Sequence, residues 1–228
     1  MLLTGRQAFA ELLGSLLLAC AVVGSGIAAQ RLSDDAGLQL LVSSLVAGAA
    51  LVALILALGP VSSAFNPVVT LAERALGAIS TVQAVVYVLA QATGCCLGVL
   101  LANLMYDLPA VTLSQHQRAG GGVYLGEAVA TFGLVLVVFG MARSGQLSRV
   151  GFAVGAYISA AHWFTSSTSF ANPAITLGRT LTDTYAGIAP GSAPVFVLMQ
   201  LIGGALAVAA VWLLYPNPWR LAERLAGP

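Results

Sequence analysis

The sequence predicts an all-α membrane protein: six transmembrane helices and two half-length helices, arranged as an inverted repeat. Composition is the first reason. Hydrophobic residues make up 59% of the chain and charged residues 7%, against about 25% charged in an ordinary soluble domain, and mean hydropathy is +0.94. The second reason is a pair of short segments that read alike, Phe65-Asn-Pro-Val-Val-Thr-Leu-Ala-Glu-Arg and Phe170-Ala-Asn-Pro-Ala-Ile-Thr-Leu-Gly-Arg. Each follows a long apolar run and is too brief to cross a bilayer. Matching half-spans in corresponding halves of a membrane protein point to its pore or binding site.

Six apolar runs are long enough to span hydrocarbon, which takes roughly 20 helical residues. They lie at about 7–29, 38–58, 82–105, 123–142, 148–166 and 193–215. The half-span 67–76 falls between the second and third, and the half-span 173–182 between the fifth and sixth. Each half-span reaches only about 15 Å at 1.5 Å per residue. Two meeting head to head would cross one bilayer together, and both must be buried in protein or line a watery cavity. The first run has no clear small-residue cleavage site with a polar segment behind it, so no cleavable signal is expected.

Charge and cysteine content exclude several classes. No Lys occurs, and net charge is +1, so no nucleic-acid or acidic partner is indicated. Cys20, Cys95 and Cys96 lie in apolar runs and read as small buried hydrophobes rather than a disulfide framework. With the N-terminus cytoplasmic, that side holds Arg6, Arg74, Arg143, Arg149, Arg220 and Arg224, and the other holds Arg31, Arg118 and Arg179. The bias favours both termini inside.

The chain repeats itself with odd parity. Glu11-Leu-Leu-Gly-Ser matches Glu127-Ala-Val-Ala-Thr, Asn66 matches Asn172, and Gln91-Ala-Thr-Gly94 matches Gln200-Leu-Ile-Gly203. Each half, about 7–106 and 123–215, holds three spans. The second half therefore enters from the opposite face, giving one channel domain over 1–228 built of inverted repeats.

The boxes Asn66-Pro67-Val68 and Asn172-Pro173-Ala174 have a chemistry of their own. Asn at a helix N-cap accepts from first-turn N–H groups through its side-chain oxygen, and Pro fits the first helical position because its missing N–H would have been an orphan. The amide NH₂ then remains, two donors with no acceptor. Two such amides at mid-membrane would offer donors to a passing neutral oxygen, with both half-helix dipoles opposing cations. Asn217-Pro218, after the last span, reads instead as an end-of-helix turn.

The order Glu, Asn-Pro-x, Gln-x-x-Gly, twice over in six spans, resembles the aquaporin (major intrinsic protein) family over about residues 7–215. Thr165-Ser-Ser-Thr-Ser-Phe-Ala-Asn-Pro-Ala, with Asp183-Thr-Tyr-Ala-Gly-Ile-Ala-Pro190 behind it, is similar more narrowly to aquaporin-type channels of bacterial arsenic-resistance operons. The resemblance implies the aquaporin fold, a homotetramer in the plasma (inner) membrane, no cofactor, and Glu11 and Glu127 holding the backbone of the half-helix loops. Coupling to protons is the alternative role for these two carboxyls, which are costly in an apolar span unless partnered. His162 reads as vestibule packing or a gate. Gly94-x-x-x-Gly98, Gly122-x-x-x-Gly126 and Gly151-x-x-x-Gly155 read as close helix crossings. Trp163, Trp212 and Trp219 fit interfacial anchors or packing.

Where this chain departs from the family matters most. Water-selective and glycerol-conducting members usually place Arg directly after the second Asn-Pro-Ala, and this chain has Ile175 there. Carried over by spacing, the outer constriction would be Ala47, Ala160, Ser169 and Ile175: mostly small, uncharged, and wider than a ring of aromatic, His and Arg side chains. Arg179, four residues beyond Ile175, would stand one turn further out in the vestibule or pair with Asp183. Its repeat mate Glu73 would lie near the inner mouth. These features imply a passive channel for small neutral solutes, with trivalent or methylated arsenicals as the specific expectation. A general water or glycerol channel is the alternative, and a proton-coupled transporter a third. No nucleophile–base pair or metal-ligand spacing supports an enzyme.

Overall fold

The structure is a computed structural model and describes residues 2–215. Asn217, Pro218, Trp219, Arg220 and Arg224 lie outside the described residues. Eight α-helices follow in order: α1 (Leu2–Leu32), α2 (Ala36–Leu58), α3 (Pro67–Ala75), α4 (Thr81–Met105), α5 (Gly121–Arg143), α6 (Val150–Phe164), α7 (Pro173–Gly178) and α8 (Ala193–Leu214). Local chemistry sets several starts. Asp35 caps α2 by accepting from the Leu38 N–H at 2.7 Å. Ser80 and Gln83 close a reciprocal capping box on α4.

Among the described residues five helices, α1, α2, α4, α5 and α8, are long and apolar enough to cross a membrane. The expected sixth span, 148–166, is shorter than its apolar run suggested. A 3₁₀ turn at Leu147–Arg149 precedes α6, and α6 itself has 15 residues, about 22 Å of helix. The run Thr165-Ser-Ser-Thr-Ser ends it. Thr165 turns extended, its hydroxyl donates to the Ala161 carbonyl at 2.6 Å, and the Ser167 hydroxyl accepts from the Ser169 N–H at 3.2 Å. Ser and Thr compete with the helix for backbone partners, so the chain leaves the helix here and runs as a loop to α7. The second half-span is shorter too. α7 has six residues, continued by a 3₁₀ turn at Arg179–Leu181.

Packing follows the repeat. α1 packs on α4, α5 on α8 and α2 on α6, while α3 and α7 wedge between the two halves. Small residues permit the crossings. A Cβ at Gly94 would overlap the Leu12 carbonyl, and one at Gly203 would overlap the Ala128 carbonyl. Leu12 and Ala128 each follow one of the repeated Glu residues, so α1–α4 and α5–α8 meet in the same way. Gly155 meets the Gly48 carbonyl, which brings α6 against α2. The expectation for Gly122-x-x-x-Gly126 needs correction. Gly122 faces open space, and Gly126 lies under the loop at Ser166 and Ser167 rather than against a helix. Cys95 is buried, Cys20 and Cys96 are half-buried, and all three are free thiols.

Replacing Gly94 with Val should cost about 1–3 kcal/mol or more, because the added atoms meet backbone that cannot rotate away. Gly122→Val, with nothing near it, is the control. Thermal unfolding in detergent should show a clearly lower midpoint for the first variant and little change for the second.

Candidate pore

Each box begins as an N-cap. The Asn66 side-chain oxygen accepts from Val68 N–H at 2.9 Å. That of Asn172 accepts from Ala174 and Ile175 N–H at 3.0 and 3.2 Å. Pro67 and Pro173 take the first helical position. The amide nitrogens differ from expectation, because each gives one hydrogen to the opposite loop. Asn66 Nδ2 donates to the Ala171 carbonyl at 2.7 Å, and Asn172 Nδ2 to the Phe65 carbonyl at 2.8 Å. One N–H per amide, not two, is left for a solute. The accepting residues, Phe65 and Ala171, each precede an Asn and have φ of 48° and 47°. A left-handed non-glycine residue costs on the order of 1–3 kcal/mol and persists only where its surroundings over-determine it.

Those surroundings are two buried carboxylates. Glu11 accepts from the Ser62 hydroxyl at 2.5 Å, Ala64 N–H at 2.9 Å, Phe65 N–H at 2.7 Å and Gln91 Nε2 at 2.8 Å. Glu127 accepts from Phe170 N–H at 3.2 Å, from Ala171 N–H, from Gln200 Nε2 at 2.7 Å and from the Ser167 side chain. The glutamines reach onward, Gln91 to Thr70 Oγ1 and Gln200 to Thr176 Oγ1, both at 2.8 Å. All six side chains have zero solvent exposure. Thr70 and Thr176 were not singled out from the sequence. Their signal is that both boxes carry Thr four residues after Asn, one helical turn on.

The loops border a cavity of about 580 Å³. Gln7, Glu73 and Ile79 line it toward the C-terminal end of α3, and both Asn residues line it in the middle. Ser169, His162 and Arg179 line it toward the outer end of α7. One wall is apolar, with Val22, Leu51, Leu134, Val154 and Ile158 among its residues. The other includes the irregular backbone of residues 59–66. Irregular backbone at membrane depth is tolerated where it lines such a cavity. Val68 turns away from it into a core with Val135, Phe139 and Val211. Pro67, Pro173 and Ala174 are not on its wall, nor are Glu11 and Glu127.

Of the four residues expected at the constriction, Ala47, Ser169 and Ile175 line the cavity. Ala160 does not, and it is exposed. The inward face of α6 runs Val154, Ile158, His162, and Ala160 sits two residues from each of the last two, about 200° around the helix. His162 takes the place on that face. Its Nδ1 bonds the Ile158 carbonyl at 2.8 Å, which fixes the ring and leaves Nε2 without a hydrogen bond. Asp183 does not pair with Arg179. It accepts from Gln115 N–H at 2.8 Å and stands 3.8 Å from His116. Arg118, in the loop before α5, donates to the Gly187 and Tyr185 carbonyls at 2.9 and 3.1 Å. Burial draws its guanidinium below the ordinary value. Trp163 donates to Ser44 Oγ at 3.0 Å.

The family model described as "Major intrinsic protein" matches residues 2–170. The chain belongs to the major intrinsic protein family. It is 46% identical to Aquaglyceroporin AqpS of Rhizobium meliloti (strain 1021), over 92% of this chain and 91% of that one. It is 31% identical to Aquaporin-5 of Sus scrofa, over 97% and 85%. The X-ray structure of the aquaglyceroporin from Plasmodium falciparum has the same fold, with a TM-score of 0.77 at 18% identity, covering 95% of this chain and 99% of that one. As a member of the major intrinsic protein family it is an integral membrane channel rather than an enzyme.

Glu11→Gln should lower stability by about 3 kcal/mol or more. It breaks a buried, multiply bonded charge and sets an NH₂ against N–H donors already aimed at that site. Glu127→Gln should do the same from the other half. Unfolding midpoints in detergent check both, with Glu73→Gln, on the cavity wall rather than in the network, as the comparison.

Proposed function

We propose that this chain is a passive channel for small neutral solutes, and that trivalent or methylated arsenicals are its specific cargo within a wider range of polyol-like molecules. The observation that carries the reading is Ile175 on the cavity wall. With Ala47 and Ser169 it keeps three sides of the ring small or apolar, His162 being the bulky member, and As(OH)₃ is uncharged at neutral pH with hydroxyls like those of a small polyol. The box amides at Asn66 and Asn172, each with one remaining N–H, are proposed to pass such oxygens through mid-membrane. Glu11 and Glu127 are proposed to hold the loops, and residues 7–106 and 123–215 to form the two inverted halves of one channel domain. The names of the aquaglyceroporin relatives support polyol passage, so a general water and glycerol channel is the second reading. Proton-coupled transport loses support because neither Glu11 nor Glu127 reaches the cavity wall. A homotetramer in the inner membrane with both termini cytoplasmic completes the proposal, motivated by the family and by the Arg bias.

Two experiments test this. Stopped-flow swelling of proteoliposomes should show glycerol and arsenical flux in wild type. In Ile175→Arg, which adds bulk and five fixed donors to the ring, that flux should fall well below wild type while water permeability survives. Ile175→Val should change little. An unchanged ratio of large-solute to water flux in Ile175→Arg would mean that Ile175 does not set the constriction. For topology, cysteines placed at positions 2 and 226, in a background with Cys20, Cys95 and Cys96 replaced by Ala, should resist an impermeant maleimide added to intact cells. Strong external labelling at either position overturns the orientation.

A further inference from the structure

A ring that passes polyols, as proposed above, raises a physical difficulty, because it would also pass a partly hydrated cation. Width alone would make a leak. Arg179 answers this by its placement. It is 5% exposed and lines the cavity, yet its side chain does not point outward along the helix. Its Nε donates to the Ala186 carbonyl, and its guanidinium carbon lies 3.4 Å from the centroid of the Phe170 ring. Phe170 also lines the cavity and adjoins Ser169. The charged head therefore lies over the Phe170 ring, the residue next to Ser169, and is tied to the Ala186 carbonyl.

That charge has no close carboxylate to neutralise it. Among the described residues, Arg179 forms no ion pair within 4 Å. Glu127 bonds the Phe170 amide at 3.2 Å, but its oxygens are already taken up by loop donors and Gln200. A second guanidinium, Arg118, lies 5.1 Å from the same Phe170 ring, so the surroundings add positive charge. Two neighbouring polar atoms also lack partners. Ser169 Oγ is buried without a hydrogen-bond partner, and His162 uses only Nδ1. Arg179, Ser169, His162 and Ile175 all line the cavity, so its wall carries a cation, an unpaired hydroxyl and an unpaired imidazole nitrogen beside an apolar side chain.

We propose that Arg179 is the specificity-determining cation of this channel: it bars cations and protons where it lies over the Phe170 ring, and its free nitrogens, with Ser169 and His162, hydrogen-bond the oxygens of neutral solutes in passage. The inference rests on the channel reading above. The Phe170 face and the Ala186 carbonyl hold the guanidinium still, by cation–π attraction and a charge-assisted hydrogen bond, so the charge cannot swing out to water as a cation enters. A fixed charge on a partly desolvated wall is a strong barrier. At about 6 Å and an effective dielectric near 20 it changes cation occupancy on the order of a hundredfold. Water in the pore reduces this, and an effect of about tenfold or more remains the expectation.

The test uses the full chain in proteoliposomes loaded with a pH-sensitive dye, under a potassium diffusion potential set by valinomycin, with glycerol swelling measured on the same preparations. Wild type should swell and should not acidify above protein-free liposomes. Arg179→Gln and Arg179→Met should give proton flux at least about tenfold above wild type, with swelling still measurable as proof of an open pore. Arg179→Lys, whose ammonium can still meet the Phe170 face and donate to the Ala186 carbonyl, should stay near wild type. Ile175→Arg combined with Arg179→Gln should return proton flux toward wild type, because the charge re-enters the wall one turn away. Proton-tight liposomes from an uncharged variant that still swells would overturn the proposal. So would proton leak in Arg179→Lys equal to that in Arg179→Gln, which would mark the residue as structural. Should both uncharged variants fail to insert, the Lys variant decides, since a tight swelling pore supports the charge and a leaking one refutes it. Wild type that does not swell with any neutral solute would instead sink the channel reading itself.

Discussion

Exposed peptide groups are the central difficulty of this fold, since an unpaired N–H or C=O in hydrocarbon costs several kcal/mol and the cavity between the apolar helices is bordered by two stretches of irregular backbone. Glu11 and Glu127 solve it. Each reaches from a long helix into a loop and accepts from two consecutive or nearly consecutive amides, Ala64 and Phe65 in one half, Phe170 and Ala171 in the other. A carboxylate suits the task because it has about four lone-pair sites and no donor of its own. Burying it is expensive, and the cost is offset only because Gln91 or Gln200 and a serine complete the set. The close crossings at Gly94 and Gly203 follow from this, since α4 and α8 must come near enough for the glutamines to reach.

The long spans, the boxes and the paired Glu and Gln residues were legible in the sequence because each leaves a local mark: apolar length, an Asn-Pro pair, a polar residue where none is tolerated alone. The features that escaped depend on register or on contacts between distant segments. Ala160 was expected on the cavity because spacing from Asn172 was carried along the chain, whereas helix rotation puts His162 there. The end of α6 was hidden because Thr165 and its neighbours continue a run whose apolar length suggests a span, although their hydroxyls prefer local backbone bonds. The amide of each Asn looked free because its acceptor, Ala171 or Phe65, lies more than a hundred residues away.

Arg179 and Glu73 show how a repeat diverges without losing its frame. Both lie seven residues after their Asn, and both line the cavity, one toward each end. The scaffold keeps its Glu, Gln, Thr and Asn residues matched because they satisfy the same backbone in both halves. The mouths are under no such constraint, so the two equivalent positions carry opposite charge.

The exchange of hydrogen bonds between the two boxes also bears on how the chain is made. While it emerges from the ribosome, the first half can satisfy Glu11 from its own residues, since Ser62, Ala64, Phe65 and Gln91 all precede the second half. The Asn66 amide and the Phe65 carbonyl have no such help, because their partners are Ala171 and Asn172. The first re-entrant loop therefore stays unlocked through synthesis of roughly another hundred residues, and its final bonds close together with those of the second. The two halves mature as one cooperative event, and a chain cut short before Ala171 leaves the first loop anchored at its base but open at its tip.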